Sequence, residues 1–570
     1  MLDRGSPRPA GRNRPGLLAA FALLMAALAF VPATTHASPR RLFQISVTPA
    51  IGKEPLTGRL VIVLSRKAEP EPRLSIHYRR GEQIVGQDVS GARVGTVVTL
   101  GDQAPGFPRL NLRGVPPGDY FVQAVVIRYG LMRRSDGHAI WAPSHHDRIP
   151  FTELAGNLYS DVRKVHLDPA RGYTVKLALD HVIPPYEPPT DTEWLKNVRI
   201  KSEILTRFWG TPTYLYATIL LPQGWAAHPN AHYPLVLAMN HGSPPYGFNP
   251  DPSDTDRNRL GEGANIESGH EFYQAWTSKD FPRLIVAAPE QSSPYFMEAY
   301  SVDSANNGPY GQAITQELIP YIERRFRATG APYARIVQGA STGGWESLAM
   351  QVKYPDLFGG AWVFNPDPIS FHHYQLVDIY KDTNAFEARV SPWLTQERPF
   401  MRDTEGQTLV TLRDLSRFEI VTGSKDRSGS QLAIWEATYG PVGPDGYPVP
   451  LWDPQTGVIN RQVADYMRAN GYDLTDYVRS NWGELGPKLD GKLHFISGEM
   501  DNYFLNLGVY EFQTMLAEVA PPGFKAQFDY GRPKKGHNWH RVPFAEMLRE
   551  IAAHVRAHAP PSADTSQWTY

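Results

Sequence analysis

Arg335-Ile-Val-Gln-Gly-Ala-Ser-Thr-Gly-Gly-Trp345 is the stretch on which the reading of this chain turns. It holds Gly339-x-Ser341-x-Gly343 directly after an apolar run and directly before a helix-like segment. A serine hydroxyl is a poor nucleophile until a base takes its proton. A sharp strand-to-helix turn lifts the serine clear of a sheet and within reach of a histidine. Such a turn is crowded, so glycine is expected two residues before and two after the serine. The turn also leaves the backbone N–H of Thr342, at a helix N-terminus, free to face an oxyanion. The five-residue pattern alone is common by chance; a strand before it and a helix after it are what make it a nucleophile elbow.

A serine nucleophile needs a histidine base and an acid to orient it. In a sheet of this kind the chain order is serine, acid, histidine. The last histidine-bearing loop after a strand is Gly531-Arg-Pro-Lys-Lys-Gly-His-Asn-Trp-His540. His537 follows a glycine in a polar loop, whereas His540 is expected in the following helix, so His537 is the favoured base. For the acid, Asp501 follows the strand read over Lys492–Ser497, with Glu499 beside it. Asp367, in Asn365-Pro-Asp-Pro368, follows the strand before that. Asp501 is favoured and the other two remain open, since a loop aspartate is most often simply solvated. A second oxyanion donor is expected from the loop His241-Gly-Ser-Pro-Pro245, as a backbone N–H of Gly242 or Ser243.

Around these residues the chain alternates strand and helix. Val198–Thr206 and Thr213–Leu221 read as strands, as do Pro234–Asn240, Leu284–Ala288, Ala334–Gln338, Gly360–Phe364 and Lys525–Asp529. Tyr310–Arg327 and Gly344–Tyr354 carry helical periodicity. Alternation implies a mostly parallel sheet with the chemistry in loops at the strand C-termini. No clean alternation survives over residues 370–487, which read as an insertion rich in Trp and Tyr. Its Trp393, Trp435, Trp452 and Trp482 either wall the cleft or pack the insertion itself.

Upstream, short apolar strands separated by Gly/Pro turns run from about Leu42 to Leu179, the pattern of a small β-sandwich with an immunoglobulin-like flavour around Pro116-Pro-Gly-Asp-Tyr120. The Pro-rich stretch within 181–194 reads as a linker, because its prolines block helix and central strand alike. The expected organisation is therefore 1–37 signal peptide, 38–180 β-sandwich, 181–194 linker and 195–570 catalytic α/β domain. The signal peptide rests on Arg4, Arg8, Arg12 and Arg14, the apolar run Leu17–Val31 and small residues up to Ala37. The run is short for a membrane span, so a periplasmic or secreted bacterial protein is expected, without stable membrane insertion.

With 570 residues, 42% hydrophobic and 20% charged, the composition is that of a soluble globular protein. A formal net charge of -1 argues against nucleic acid as a partner. The count of zero cysteines excludes a disulfide framework. His145-His146-Asp147 and His372-His373 carry ligand-type side chains, but adjacent histidines do not easily face one ion, and neither a metal nor a cofactor is expected.

The chain resembles the esterase-D-like family of α/β-hydrolases, the group that includes feruloyl esterases, enterochelin esterases and mycolyltransferases. The resemblance is carried by Ile219-Leu-Leu-Pro222, Tyr233-Pro-Leu-Val-Leu237, Gly311-Gln-Ala-Ile-Thr-Gln-Glu-Leu-Ile-Pro-Tyr-Ile-Glu323, the elbow, Tyr354-Pro-Asp-Leu-Phe358 and Gly536-His-Asn-Trp539. It implies an α/β-hydrolase fold, with Ser341 as nucleophile, His537 as base and Asp501 as acid. The expected activity is hydrolysis of a small-molecule or polymer-linked ester through an acyl-enzyme. The alternatives are a prolyl-oligopeptidase-type peptidase, for which the region before the linker is too short to be a propeller, and a non-catalytic binding protein on the same scaffold. The long insertion and the added β region depart from small members of the family and leave the substrate open.

Overall fold

The computed structural model describes residues 40–144, 149–239, 244–258, 266–290, 292–293 and 296–570. The expected signal peptide lies outside them. Arg40–Tyr570 form one compact unit.

The strand-rich first part is built of two sheets. In the smaller, Arg41–Val47 pairs in parallel with Tyr173–Leu179 and antiparallel with Val97–Leu100. In the larger, Gly118–Arg133 and Leu56–Ser65 lie side by side at the centre, and Gln83–Ala92 continues the sheet beyond Leu56–Ser65. Phe43, Ile45 and Val47 of the small sheet share a core with Leu60, Ile62, Leu64, Val122 and Val126 of the large one. The alternate residues Val61, Val63, Val125 and Ile127 belong to a different core, shared with the rest of the molecule. The sheet is thus covered on both faces, and Leu60–Leu64 is apolar without alternation. Tyr120, at the start of Gly118–Arg133, donates its hydroxyl to the Pro116 carbonyl at 2.7 Å and ties down the turn that precedes it.

The second part is an α/β-hydrolase fold. Its eight-stranded sheet runs in the order Leu195–Ser202, Thr213–Leu220, Ile285–Pro289, Leu235–Ala238, Arg335–Ala340, Gly360–Phe364, Leu493–Gly498 and Ala526–Gly531. The first two strands join antiparallel and the remaining six run parallel. Parallel strands buried on both faces need apolar residues throughout, which Leu235–Ala238, Ile285–Pro289 and Gly360–Phe364 supply.

Two elements differ from the sequence reading. The strand expected over Val198–Thr206 stops at Ser202, and Glu203–Trp209 is helix. The Ser202 hydroxyl caps it by accepting from the Leu205 amide, and Gly210 closes it in the left-handed conformation, so local capping overrides the apolar run. The helix expected over Tyr310–Arg327 is interrupted by a π-turn at Ile314–Leu318. Pro320, just beyond, has no N–H for an ordinary ladder, and the chain widens there.

Between Phe364 and Leu493 lie two hairpins, a 3-10 turn at Phe371–His373 and five α-helices, Leu412–Thr422, Gln431–Tyr439, Arg461–Ala469, Leu474–Ser480 and Trp482–Leu489. Leu412–Thr422 lies against the large sheet of the first part. Phe418 meets Phe107 edge-on with ring centres 5.6 Å apart. Arg59 donates to the Val421 and Ile420 carbonyls at 3.0 and 2.5 Å. A Cβ on Gly86 would strike the Val421 carbonyl oxygen, so glycine sets how closely the helix end can approach the sheet.

Candidate active site

Ser341 sits between strand Arg335–Ala340 and helix Thr342–Lys353 with φ 59° and ψ −120°, a conformation that costs a non-glycine residue energy and that the surroundings must enforce. They do so at close quarters. A Cβ on Gly339 would lie 2.5 Å from the Met239 carbonyl oxygen, and one on Gly344 2.6 Å from that of Phe364. The Ser341 amide donates to Phe364 O at 3.0 Å, and the Asp367 amide donates to Ser341 O at 3.0 Å. Thr342 is the first residue of its helix, so its amide has no acceptor within the helix and its dipole end faces the turn.

Asp501 and His537 come from loops after adjacent parallel strands, Leu493–Gly498 and Ala526–Gly531. His537 Nδ1 donates to Asp501 Oδ2 at 2.7 Å; the carboxylate is fully buried and the imidazole side chain is 12% exposed. Asp501 Oδ1 accepts from the Tyr503 and Leu505 amides at 2.8 and 3.2 Å, which fixes the carboxylate plane. The histidine loop is held to the acid loop by the His537 amide on Asn502 Oδ1 at 2.9 Å. A Cβ on Gly498 would strike the Gly536 and Lys535 carbonyls, so only glycine lets the two loops approach this closely. Burial pulls the His537 pKa down, but the charge and hydrogen bond of Asp501, with a further contribution from Asp367, outweigh it and leave the imidazole above its ordinary value.

Glu499 does not face His537; it accepts from the Lys534 amide at 2.9 Å and pairs with Arg532 at 3.2 Å, bracing the histidine loop. His540 lies in that loop rather than in the helix expected for it, which begins only at Phe544, and its ring packs on Phe364 with centres 5.1 Å apart. His372 pairs with Asp378 at 3.1 Å and His373 with Glu511 at 3.5 Å, so the two adjacent histidines face different carboxylates. Among the described residues no group of three or more His, Asp or Glu side chains is placed to hold a metal ion. Gly242, Ser243 and His145-His146-Asp147 lie outside the described residues.

Asp367 occupies a place that its sequence context did not disclose. It is buried beneath the elbow, where Oδ1 accepts from the Ser341 hydroxyl at 3.2 Å and Oδ2 from Tyr300 Oη at 2.5 Å and Thr342 Oγ1 at 3.1 Å. Trp435 Nε1 and Gln431 Nε2, both from the insertion helix Gln431–Tyr439, each reach Oδ2 at 3.3 Å. Burial raises the Asp367 pKa, and these donors together with His537 offset only part of that. Tyr300 belongs to no motif, and nothing in the sequence marks it.

Ser341, Asp367 and His537 line one cavity of about 300 Å³, walled by Tyr78, Phe400, Trp435 and Tyr503. Of the four insertion tryptophans, Trp435 is in this wall. Trp393 is 95% exposed on a hairpin, Trp452 is buried, and Trp482 packs on Phe524.

Residues 214–405 match the family described as "Putative esterase", which bears out the esterase-D-like resemblance read from the sequence. No curated protein matches the chain. Among solved structures, a ferulic acid esterase aligns at 14% identity over 64% of this chain and 98% of its own, with a TM-score of 0.36. An S-formylglutathione hydrolase from Agrobacterium tumefaciens aligns at 12% identity over 66% and 98%, with a TM-score of 0.31. A fluorophosphonate-binding serine hydrolase of Staphylococcus aureus aligns at 12% identity over 63% and 98%, also at 0.31. Among the described residues no helix is long and apolar enough to cross a membrane.

Proposed function

We propose, for a chain whose residues 214–405 match a putative-esterase family, that this protein is a serine hydrolase cleaving carboxylic esters through an acyl-enzyme on Ser341. The observation that carries the reading is the buried Asp501–His537 pair opening onto the same cavity as the strained Ser341. Ser341 Oγ attacks the ester carbonyl while its proton passes to His537 Nε2. The C–O bond to the alcohol then breaks, and His537 returns the proton to the leaving oxygen. Water repeats the sequence on the acyl-enzyme and releases the acid. Asp501 holds the imidazole in the tautomer that presents Nε2 and stabilises its protonated form. The Thr342 amide, with a donor from the Gly242–Ser243 loop, holds the oxyanion.

Esters are favoured over amides because the family match is to esterases and an alkoxide or phenolate leaves more readily than an amine. The mature protein is proposed to begin near Ser38, outside the cytoplasm, a reading that N-terminal sequencing of native material tests directly. The activity is tested by comparing kcat/KM for a p-nitrophenyl ester and the matching p-nitroanilide, with fluorophosphonate labelling of wild type and Ser341→Ala. Labelling that survives the substitution excludes Ser341 as the nucleophile. Anilide cleavage as fast as ester cleavage favours the peptidase reading. No labelling and no turnover of either substrate leaves the binding-protein reading.

A further inference from the structure

The cavity beside Ser341 is not made by the hydrolase fold alone. Tyr78 lies in the strand-rich first part, in the turn between Pro72–Ser75 and Gln83–Ala92, well outside the span matched by the esterase family. Yet it lines the same cavity as Ser341 and His537. Its ring meets Phe400 and Phe418 of the insertion edge-on, with centres 5.9 and 6.1 Å apart. Its hydroxyl shares a hydrogen bond of 3.2 Å with that of Tyr503. Tyr503 in turn stands edge-on to the His537 ring, with centres 4.9 Å apart. Tyr503 follows Asp501 by two residues, so Tyr78 touches the acid loop as well as the cavity wall.

Elsewhere along its strands the first part is fastened to the insertion. Asp88 accepts from Ser424 Oγ at 2.6 Å and pairs with Arg59 at 3.1 Å and Arg427 at 3.3 Å, while Arg427 donates to the Trp141 carbonyl at 2.7 Å. The Tyr447 hydroxyl accepts from the Trp141 amide at 2.8 Å. These bonds join the first part to the insertion at several points. The lining is mixed: Met297, Phe400, Leu415, Ile434 and Leu505 are apolar, and Gln375, Ser430 and Gln431 are polar. The charged and titratable side chains among the described lining residues are Glu298, Asp367 and His537, together with the phenols of Tyr78 and Tyr503. No lysine or arginine is among these described lining residues.

We infer that Tyr78 is a specificity-determining residue of the proposed esterase, closing the cleft from the strand-rich part and limiting the size of the uncharged, apolar group admitted beside Ser341. The first part then acts as a wall of the active site rather than as an independent binding module. This rests on the ester-hydrolase reading.

The experiment uses the full chain and a series of p-nitrophenyl esters, from acetate through butyrate to octanoate. Tyr78→Ala opens the wall, Tyr78→Trp thickens it, and Tyr78→Phe keeps the ring and loses the hydroxyl. The expected result is that the octanoate-to-acetate ratio of kcat/KM rises about 10-fold or more in Tyr78→Ala, falls in Tyr78→Trp and stays within about 2-fold of wild type in Tyr78→Phe, a contrast on the scale of one to a few methylenes in an apolar pocket. A ratio within about 2-fold of wild type in both the Ala and Trp variants overturns the inference. Fluorophosphonate labelling of Ser341 in each variant reports an intact nucleophile. Turnover that survives Ser341→Ala refutes the ester-hydrolase mechanism itself, a separate failure from an unmoved ratio.

Discussion

Ser341 and Asp367 are bound to each other twice, through the serine hydroxyl on Oδ1 at 3.2 Å and through the Asp367 amide on the serine carbonyl at 3.0 Å. The hydroxyl is therefore engaged by Asp367 in this structure, and in the proposed mechanism it gives up that bond when its proton passes to His537. Asp367 is hydrogen-bonded to Ser341, while Asp501 is hydrogen-bonded to His537.

Ser341 and Asp367 are accordingly expected to fail differently. Ser341→Ala lowers kcat by at least about 10³-fold with the fold intact, because the attacking atom is gone while the oxyanion donors remain. Asp367→Asn keeps the side chain's shape and removes its charge, so turnover falls by less than that. Steady-state kinetics with circular dichroism to verify folding compares them; an Asp367→Asn loss equal to that of Ser341→Ala would show that Asp367 is indispensable to the chemistry.

Asp501→Asn is expected to cost about 10³-fold or more in kcat, since an amide can leave the imidazole in the wrong tautomer. Glu499→Gln, which touches only the bracing of the histidine loop, costs about 10-fold or less. Measuring both variants on one ester decides the assignment, and the reverse order of losses would place the acid at the wrong residue.

The pH profile follows from the direction of the His537 shift. The base must be neutral to accept the serine proton, so kcat/KM rises with pH through the imidazole pKa. That pKa is held above 6.5 by Asp501 and Asp367 against the effect of burial, so the midpoint of the acidic limb lies above 6.5. Removing the charge in Asp367→Asn takes away one of the groups favouring the imidazolium, and the midpoint moves to lower pH. A midpoint unchanged in that variant would mean that the two groups are not electrostatically coupled.

Gly498→Ala adds a single methyl group where the Gly536 and Lys535 carbonyls already stand. The acid and histidine loops must part to admit it, and a displacement of about 1 Å in a catalytic pair costs roughly 10²-fold in rate. The expected outcome is a loss of that order in kcat. The same substitution at Gly483, in helix Trp482–Leu489, where a Cβ meets nothing and φ is not positive, serves as the control. Equal activity in the two variants would show that the Gly498 contact does not position the pair.

The sequence alone was enough for whatever depends on neighbours along the chain. The elbow around Ser341, the loop position of His537, the place of Asp501 after its strand and the parallel sheet all follow from turns, caps and apolar runs a few residues long, because steric and hydrogen-bonding constraints of that range act within one element. Even there, Glu203–Thr206 reads as the end of a strand although it opens the capped helix Glu203–Trp209, since its apolar residues outweigh the Ser202 and Gly210 signals. The tertiary structure alone decided the company those residues keep. Tyr300, Asp367 and Trp435 are 67 and 68 residues apart along the chain and meet under the elbow, and Tyr78 and Tyr503 meet across 425. No local preference encodes such pairs: they arise when the insertion helices and the strand-rich sheet bury their apolar faces against the same core, and that burial brings distant polar side chains within hydrogen-bonding reach.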